Sequence, residues 1–297
     1  MNSRHIVARA SEADYSLPEV YRDRSDGFGR WSIVDESHPG AIHTGFGVCR
    51  LEGGGTIAAH VHSFEESVYV LEGELVCETP AGAVLLAAGD YGLVPVGVEH
   101  SWRNAGSAPV RWAEMLAPQP RHRHGEDTYF VPTFEAGEPV AVDVRDPRTR
   151  TFGHIDPENM EVDKQTQDRL AVSASMRTAL LVYSGITVKM MVDTELGAQL
   201  STMFMVQYEP DGFAGAHDHP LEESYLILEG GTDASFDGEE YRLEAGDVAF
   251  AGVGCVHSFA NPGKDRVRWL ETQAPGPPSR HSYRFARDWT YLVEQLD

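Results

Sequence analysis

The feature that most constrains this chain of 297 residues is an internal repeat, in which a pattern of histidine, glutamate, glycine and asparagine occurs twice at a constant separation of 157 residues (His60 to His217). The paired positions are His60 and His217, His62 and His219, Glu66 and Glu223, Gly73 and Gly230, Gly89 and Gly246, His100 and His257, and Asn104 and Asn261. The repeat continues through the Arg-Trp pairs at 111–112 and 268–269 without any insertion or deletion. A repeat at one fixed period predicts two copies of the same structural unit.

Both copies have the sequence character of β-structure. Residues 67–79 and 224–236 alternate apolar and polar side chains over short stretches that glycine interrupts. Many short strands at close spacing are typical of a β-sandwich or a closed β-barrel. We therefore predict one barrel over residues 28–130 and a second over residues 185–297, which includes a C-terminal tail.

The segments outside the two copies are predicted to connect or cover them. Residues 1–27 are expected to form a strand or an arm that packs on one of the barrels. Residues 131–184 are interpreted as a linker. Its part from 155 to 180 is polar and free of glycine, and the Asp-Pro pair at 156–157 favours the start of a short helix there. Residues 287–296 near the C-terminus are also expected to be helical.

The charge of the chain bears on its partners. The sequence has 24 basic and 46 acidic residues, which gives a formal net charge of −22. Such a surface repels nucleic acids and anionic membranes. No apolar run approaches the roughly 20 residues that a membrane helix requires, and the N-terminal residues lack the apolar stretch of a signal peptide. We therefore expect a cytoplasmic protein that binds neither nucleic acid nor membranes.

The repeated histidines and glutamates form the pattern of a metal site. His60 and His62 are two residues apart on a predicted strand, so their side chains lie on the same face of it. Glu66 follows after a tight turn, and a later strand adds His100. Three imidazoles and one carboxylate suit a divalent first-row metal. The predicted ligands are His60, His62, Glu66 and His100 in the first copy and His217, His219, Glu223 and His257 in the second.

These residues stand at the spacing of two known sequence motifs. Gly54, His60, His62, Glu66 and Gly73 fit G(X)5HXH(X)3-4E(X)6G, and Gly89, Pro95, Gly97, His100 and Asn104 fit G(X)5PXG(X)2H(X)3N. The second copy departs at two positions that are not ligands, where Gly252 replaces the proline and Asp211 replaces the leading glycine. Over about two-thirds of its length, the chain therefore resembles the cupin superfamily. The resemblance implies an all-β protein with two tandem cupin barrels (double-stranded β-helix, or jelly-roll), which is a bicupin, joined by a short, partly helical linker.

The resemblance also implies two divalent metal ions per chain. Fe(II) or Mn(II) is the preferred expectation, with Zn, Ni, Co or Cu as alternatives. The reaction stays open, because cupins host many activities. The leading hypothesis is a dioxygenase-type oxidoreductase that acts on a small oxygen-bearing organic substrate. The alternatives are a non-redox metal enzyme (an isomerase, cyclase, lyase, decarboxylase or hydrolase) and a small-molecule-binding protein without catalysis. Because cupin barrels expose a sheet edge that often pairs, a homodimer and pairing of the two barrels within one chain are both considered.

The residues predicted around the two metals differ between the copies. Strand alternation from the ligands points Val68 and Trp102 inward in the first copy, and Tyr225 and Phe259 in the second. A phenol beside a metal donates a hydrogen bond or acts as a general acid, and an aromatic wall of the core is the other interpretation of Tyr225. If only one barrel is catalytic, Tyr225 favours the second.

Two further pairs of repeated positions are interpreted with less direct support from the motifs. Arg50 in the first copy corresponds to Gln207 in the second, and both are assigned to the substrate pocket. The guanidinium of Arg50 would suit a substrate carboxylate. Glu114 and Glu271 are interpreted as structural carboxylates, each pairing with the arginine three residues before it.

Overall fold

The structure, a computed structural model, describes residues 3–143, 145–161, 183–276 and 284–285. The chain divides into two compact units. The first, called the N-terminal barrel, consists of the described parts of Ala13–Asp156 together with Met191–Thr202. The second, called the C-terminal barrel, consists of the described parts of Met1–Glu12, Pro157–Met190 and Met203–Asp297.

The described secondary structure is dominated by β-strands. In chain order these are β1 (His5–Ala8), β2 (Ser25–Val34), β3 (Gly45–His62), β4 (Glu65–Glu72), β5 (Glu74–Thr79), β6 (Gly82–Ala87), β7 (Asp90–Val94), β8 (His100–Arg103), β9 (Val110–Ala117), β10 (Thr128–Phe130), β11 (Val140–Ala141), β12 (Phe152–His154), β13 (Tyr183–Val192), β14 (Thr202–Asp218), β15 (Glu222–Glu229), β16 (Gly231–Phe236), β17 (Glu239–Glu244), β18 (Val248–Ala251), β19 (His257–Ala260), β20 (Val267–Ala274) and β21 (Arg284–Phe285). Short 3-10 helices cover Ala10–Glu12, Glu19–Tyr21, His122–Asp127, Pro147–Thr149 and Pro157–Met160. None of the helices in the described part of the chain has the length and apolar character that crossing a membrane requires.

Each barrel is built on one curled sheet. In the N-terminal barrel the strand order is β11-β6-β5-β8-β3-β9-β4-β7-β12, with β2 and β10 also paired to β3. In the C-terminal barrel it is β1-β18-β15-β20-β14-β19-β16-β17, with β13 and β21 also paired to β14. The central strands of the two sheets follow the same order at the repeat spacing. The predicted all-β fold with two tandem barrels is thereby confirmed.

The core of each barrel lies on the inward face of its sheet, where alternate residues of each strand are apolar. The N-terminal core includes Cys49, Leu51, Val68, Val70, Leu75, Trp102 and Trp112, and the C-terminal core includes Val206, Tyr208, Tyr225, Ile227, Phe236, Phe259 and Trp269. The metal-ligand residues interrupt these apolar faces, so the barrel interior that excludes water also surrounds the ligands.

The segments around the repeat contribute short strands to both sheets, one of them in the N-terminal segment, for which the sequence predicts a strand or an arm. β1 pairs antiparallel with β18 of the C-terminal barrel, where Arg4 and Arg9 pair with Asp237 at 2.6 Å and Asp247 at 2.7 Å. β11 and β12 extend the N-terminal sheet by pairing with β6 and β7. These strands have only two to four residues, which is too short for a periodic pattern to identify them. The predicted helical stretch of the linker, residues 155–180, begins with the 3-10 helix Pro157–Met160, and its part from residue 162 onward lies outside the described residues, as does the predicted C-terminal helix.

One buried carboxylate attaches the segment Met191–Thr202 to the N-terminal barrel. Glu65, at the start of β4, is 3% exposed. It accepts hydrogen bonds from Gln199 N at 2.7 Å, Leu200 N at 3.0 Å and Ser201 Oγ at 3.0 Å. A carboxylate that satisfies three donors is costly to remove, because the donors then lack partners.

We expect Glu65→Ala to lower the free energy of unfolding of the N-terminal barrel by about 2–3 kcal/mol, since it leaves these donors unsatisfied. Urea denaturation followed by tryptophan fluorescence measures the change. Glu74→Ala is the control, because Glu74 is exposed on β5 of the same barrel and its removal should cost less than about 0.5 kcal/mol. Equal unfolding midpoints for the two variants would show that Glu65 does not hold the segment.

Candidate metal centres

The N-terminal centre is formed by side chains from three strands. His60 and His62 end β3, His100 begins β8, and Glu66 lies on β4. All four are buried, with at most 3% exposure. The ligand atoms of the three histidines lie within 4.8 Å of one another. Glu66 Oε2 is 3.2 Å from the Nε2 atoms of His62 and His100. The structure thus brings the four predicted ligands of the first copy together.

Backbone carbonyls orient every imidazole of this centre. The Nδ1 atoms of His60, His62 and His100 lie 2.8, 2.7 and 2.9 Å from the carbonyl oxygens of Ala58, Phe64 and Val98. A carbonyl oxygen only accepts hydrogen bonds, so each Nδ1 carries the proton and each Nε2 presents a lone pair. His100 Nε2 is buried and has no hydrogen-bond donor among the described residues.

The C-terminal centre repeats this arrangement. His217, His219 and His257 have ligand atoms within 4.8 Å of one another, and Glu223 Oε2 is 2.8 Å from His219 Nε2. The Nδ1 atoms lie 2.8, 3.1 and 2.9 Å from the carbonyl oxygens of Gly215, Leu221 and Cys255. In both barrels, the Nε2 atoms of three imidazoles and a carboxylate therefore converge, and this ligand set fits a divalent cation.

Burial keeps the leading histidine of each set neutral. Desolvation and the neighbouring histidine, His100 or His257, lower the pKa of His60 and of His217 to about 3. A neutral imidazole is the form that binds a metal, so these two ligands are ready for a cation at any physiological pH.

A second glutamate lies beside each ligand glutamate, which contradicts its sequence-based interpretation. Glu114 faces inward on β9, close enough to Glu66 for the charge of Glu66 to act on it. Its Oε2 is 2.7 Å from the Nε of Arg30. Burial and the charge of Glu66 raise the pKa of Glu114 to about 7, although Arg30 opposes the shift. Arg111, the predicted partner, pairs instead with Glu72. An offset of three residues places Arg111 and Glu114 on opposite faces of a strand, so the predicted pairing is wrong.

The corresponding Glu271 has different partners. It accepts a hydrogen bond from Trp269 Nε1 at 2.9 Å, and it contacts Glu223. Burial and the charge of Glu223 raise the pKa of Glu271 well above its usual value. Arg268, its predicted partner, pairs with Glu229 instead. Side chains two residues apart on a strand lie on the same face, so the buried tryptophan at 269 indicates that Glu271 faces inward. This was the sequence signal that could have identified it.

The two ligand carboxylates are held differently. Glu223 accepts hydrogen bonds from the Nε2 of Gln273 and from the hydroxyl of Tyr225. At the matched positions the N-terminal barrel has Leu116 and Val68, whose side chains donate no hydrogen bond. Glu223 is thus fixed by two neutral donors that Glu66 lacks.

The predicted pocket residues divide into two groups. Val68 and Trp102 lie in the N-terminal core, and Tyr225 and Phe259 lie in the C-terminal core. Three of the rings contact a ligand histidine, with centroids 5.9 Å apart for Trp102 and His100, 6.0 Å for Tyr225 and His257, and 6.1 Å for Phe259 and His257. The Tyr225 hydroxyl donates a hydrogen bond to the ligand carboxylate of Glu223, and its predicted role toward a metal-bound oxygen stays a prediction.

The structure does not bring Arg50 and Gln207 to the centres. Arg50 pairs with Glu52 at 2.8 Å, and its side chain is 43% exposed. Gln207 donates to the carbonyl of Met160 at 3.3 Å and to Glu209 at 3.2 Å. Their strand neighbours occupy the inward face in both barrels, so strand alternation turns these two side chains outward.

Sequence reasoning missed a phenol at the N-terminal centre. Tyr21, from the 3-10 helix Glu19–Tyr21, has its ring 5.7 Å from that of His60 and 6.0 Å from that of Phe130. Burial, with the negative charges of Glu114 and Glu66, raises the pKa of Tyr21 well above 10. Tyr21 precedes the repeated motifs, so the comparison of the two copies offered no signal for it.

The family follows from comparison of the chain with known proteins. The family model described as the Cupin domain matches twice, over residues 47–117 and 204–272. Each match contains the four predicted metal ligands of one barrel. The chain contains two cupin domains and is therefore a bicupin.

Relatives of the bicupin include both sequence and structural matches. The tetracenomycin polyketide synthase protein TcmJ of Streptomyces glaucescens is 28% identical over 134 residues, which is 44% of this chain and 89% of that protein. Salicylate 1,2-dioxygenase from Pseudaminobacter salicylatoxidans matches with a TM-score of 0.68 and 15% identity over 100% of this chain and 88% of that one. Oxalate decarboxylase from Lactobacillus farciminis matches with a TM-score of 0.60 and 15% identity over 96% and 89%. At such low identity the structural matches show the fold.

We expect the pair His60→Ala and His62→Ala to remove the metal of the N-terminal barrel, and the pair His217→Ala and His219→Ala to remove that of the C-terminal barrel. Each pair deletes two of the three nitrogen donors. Elemental analysis of protein loaded with Mn(II) and then desalted should show the loss of one ion per chain. The pair His122→Ala and His124→Ala is the control, because both histidines are exposed. Unchanged metal content in either ligand variant would refute that site.

We expect Gln273→Leu to weaken metal binding in the C-terminal barrel by about 10- to 100-fold, because outer residues that orient a ligand have effects of this size. The measurement is Mn(II) titration in the His60→Ala, His62→Ala background, where only the C-terminal centre remains. Gln207→Leu is the matched control, since this buried glutamine points away from the centre. Equal affinities for the two variants would show that the contact with Glu223 does not position the ligand.

Proposed function

We propose that the bicupin is a metal-dependent enzyme, a dioxygenase-type oxidoreductase that acts on a small oxygen-bearing organic substrate. The observation that carries the proposal is the pair of complete ligand sets, each with three imidazoles of fixed tautomer and one carboxylate. A bound Fe(II) or Mn(II) ion would supply redox chemistry and coordination positions for substrate and dioxygen.

The residues around the ligands support chemistry in a dry interior. Trp102 and Val68 are buried apolar side chains in the N-terminal barrel, and Phe259 is one in the C-terminal barrel. An apolar wall excludes water and leaves a site accessible to an apolar gas such as dioxygen. Tyr21 keeps its proton because its pKa is well above 10, so it offers a neutral donor near the N-terminal centre, whereas the hydroxyl of Tyr225 is engaged by Glu223.

A non-redox metal enzyme is the second candidate, and a specific observation favours it. The C-terminal centre has a second carboxyl group, Glu271, beside Glu223, and burial together with the charge of Glu223 raises its pKa well above the usual value. A carboxyl group with a raised pKa can give a proton to a substrate oxygen, as a lyase, isomerase or cyclase requires. The sequence match to a polyketide synthase protein is in keeping with this candidate.

Oxygen consumption by metal-loaded protein separates the two candidates. The bicupin is loaded with Fe(II) under nitrogen and mixed with salicylate, gentisate or oxalate, the compounds named for the structural relatives. We expect dioxygen uptake and product formation that both cease under nitrogen. The variants that lack one set of histidines identify the barrel responsible. Turnover that continues at the same rate without dioxygen would overturn the dioxygenase proposal and support the non-redox enzyme.

A further inference from the structure

A buried arginine lies in the interior of the N-terminal barrel. Arg30 is on the same face of β2 as the core residue Phe28, and it is 9% exposed. Its Nη1 donates to Ser32 Oγ at 3.2 Å, and its Nε lies 2.7 Å from Glu114 Oε2. Its Nη2 is buried and has no hydrogen-bond partner among the residues that the structure describes. Burying a guanidinium with donors unused is costly, so the arrangement favours a further acceptor.

Glycine provides the space that this guanidinium occupies. Gly47 lies opposite Glu114 in the pairing of β3 with β9. A Cβ atom at Gly47 would lie 2.9 Å from Arg30 Nε and 2.7 Å from the carbonyl oxygen of Trp31. The repeat position of Gly47 in the C-terminal barrel is Phe204, whose ring belongs to the apolar core. Among the described residues of that barrel, no arginine or lysine is buried. The interior cation is therefore specific to the N-terminal barrel.

The carboxylate of Glu114 lies between the guanidinium of Arg30 and the predicted metal ligand Glu66. Glu114 pairs with Arg30 on one side, and the charge of Glu66 acts on it from the other. The charge of the half-buried Glu126 also acts on Arg30 and on Tyr21. A guanidinium with an unused donor close to a bound divalent ion would favour an anionic ligand between them.

Aromatic rings surround the same centre. The Tyr21 ring is 5.2 Å from that of Phe28, and the Phe130 ring is 5.8 Å from that of His60. Tyr21 and Phe130 are half-buried, so this side of the centre reaches the surface. The guanidinium of Arg24 also lies over the Phe130 ring, 5.1 Å from its centroid. Flat rings beside the metal centre suit a planar organic anion better than an inorganic one.

We propose that Arg30 anchors a carboxylate-binding subsite in the N-terminal barrel, which takes an organic carboxylate whose body lies against Tyr21 and Phe130 beside the metal centre. The planar fork of a guanidinium matches a carboxylate with two parallel hydrogen bonds. The inference rests on the proposed function and names the substrate class of its N-terminal centre. It assigns to Arg30 the role that the sequence suggested for Arg50.

The test compares binding of benzoate and benzamide, which share a shape but differ in charge. Mn(II)-loaded bicupin is titrated under nitrogen by calorimetry, so no turnover is needed. We expect benzoate to bind roughly tenfold or more tightly than benzamide, as a charge-assisted hydrogen bond provides. Arg30→Gln should remove this preference and leave benzamide binding unchanged. Arg50→Gln is the matched control and should leave both affinities unchanged, since Arg50 is on the outer face.

The two members of the Arg30–Glu114 pair should change the affinity for benzoate in opposite directions, which distinguishes the subsite from a structural ion pair. Glu114→Gln removes the internal competitor for Arg30, so benzoate should bind more tightly than to the wild type. The double variant Arg30→Gln, Glu114→Gln removes both charges and serves if Arg30→Gln alone does not fold. Circular dichroism and metal content check each variant.

The proposal is overturned if the wild type binds benzoate no better than benzamide, if neither probe binds, or if the double variant retains the preference. Its failure is separable from that of the proposed function. Oxygen-dependent turnover without a benzoate preference would reject the subsite alone. A benzoate preference that depends on Arg30, without oxygen-dependent turnover, would reject the dioxygenase proposal alone.

Discussion

The hydrogen bond from each ligand imidazole to a backbone carbonyl two residues away is the interaction on which the metal centres depend. In each barrel, two carbonyls precede their histidine and one follows it, as Val98 precedes His100 and Phe64 follows His62. Because these carbonyls belong to strands or to the turns between them, the sheet itself sets the tautomer and direction of every ring. Orientation therefore does not depend on the side chains that surround the site.

That independence explains how two equal ligand sets coexist with unequal surroundings. The side chains next to the ligands have changed in three matched pairs, while the backbone around the histidines has kept its spacing. Gly47 became Phe204, Leu116 became Gln273 and Val68 became Tyr225 in going from the first barrel to the second. The first barrel has a glycine with a buried guanidinium beside it, and the second has aromatic rings and neutral hydrogen-bond donors at the matched positions. The ligand spacing fixes where a metal would be bound, and these pairs determine what surrounds it.

The same distinction shows how much of the site the sequence could predict. The eight ligands were identifiable because their spacing is local and repeated. Arg50 was placed near the substrate because the sequence offered no inward-facing reference on its strand. For Glu114 the tryptophan two residues before it offered the correct orientation, and the predicted pairing with Arg111 overlooked it. Arg30 and Tyr21 precede the repeated motifs, and only the pairing of β2 with β3 and the packing of the 3-10 helix bring them to the centre. Such long-range pairing has no signal in the spacing of either segment.

The structure also alters the reason for choosing between the barrels. The sequence favoured the second barrel on Tyr225 alone, as the phenol beside a metal. In the structure the hydroxyl of Tyr225 is engaged by Glu223, so it holds a ligand in place and is not free for a substrate. The first barrel has its own phenol in Tyr21, together with a half-buried aromatic edge and a guanidinium with unused donors. A centre that fixes its carboxylate with protein donors is suited to retaining an ion, and a centre with unused donors is suited to binding a substrate. On these contacts the first barrel is the better candidate for the site of reaction.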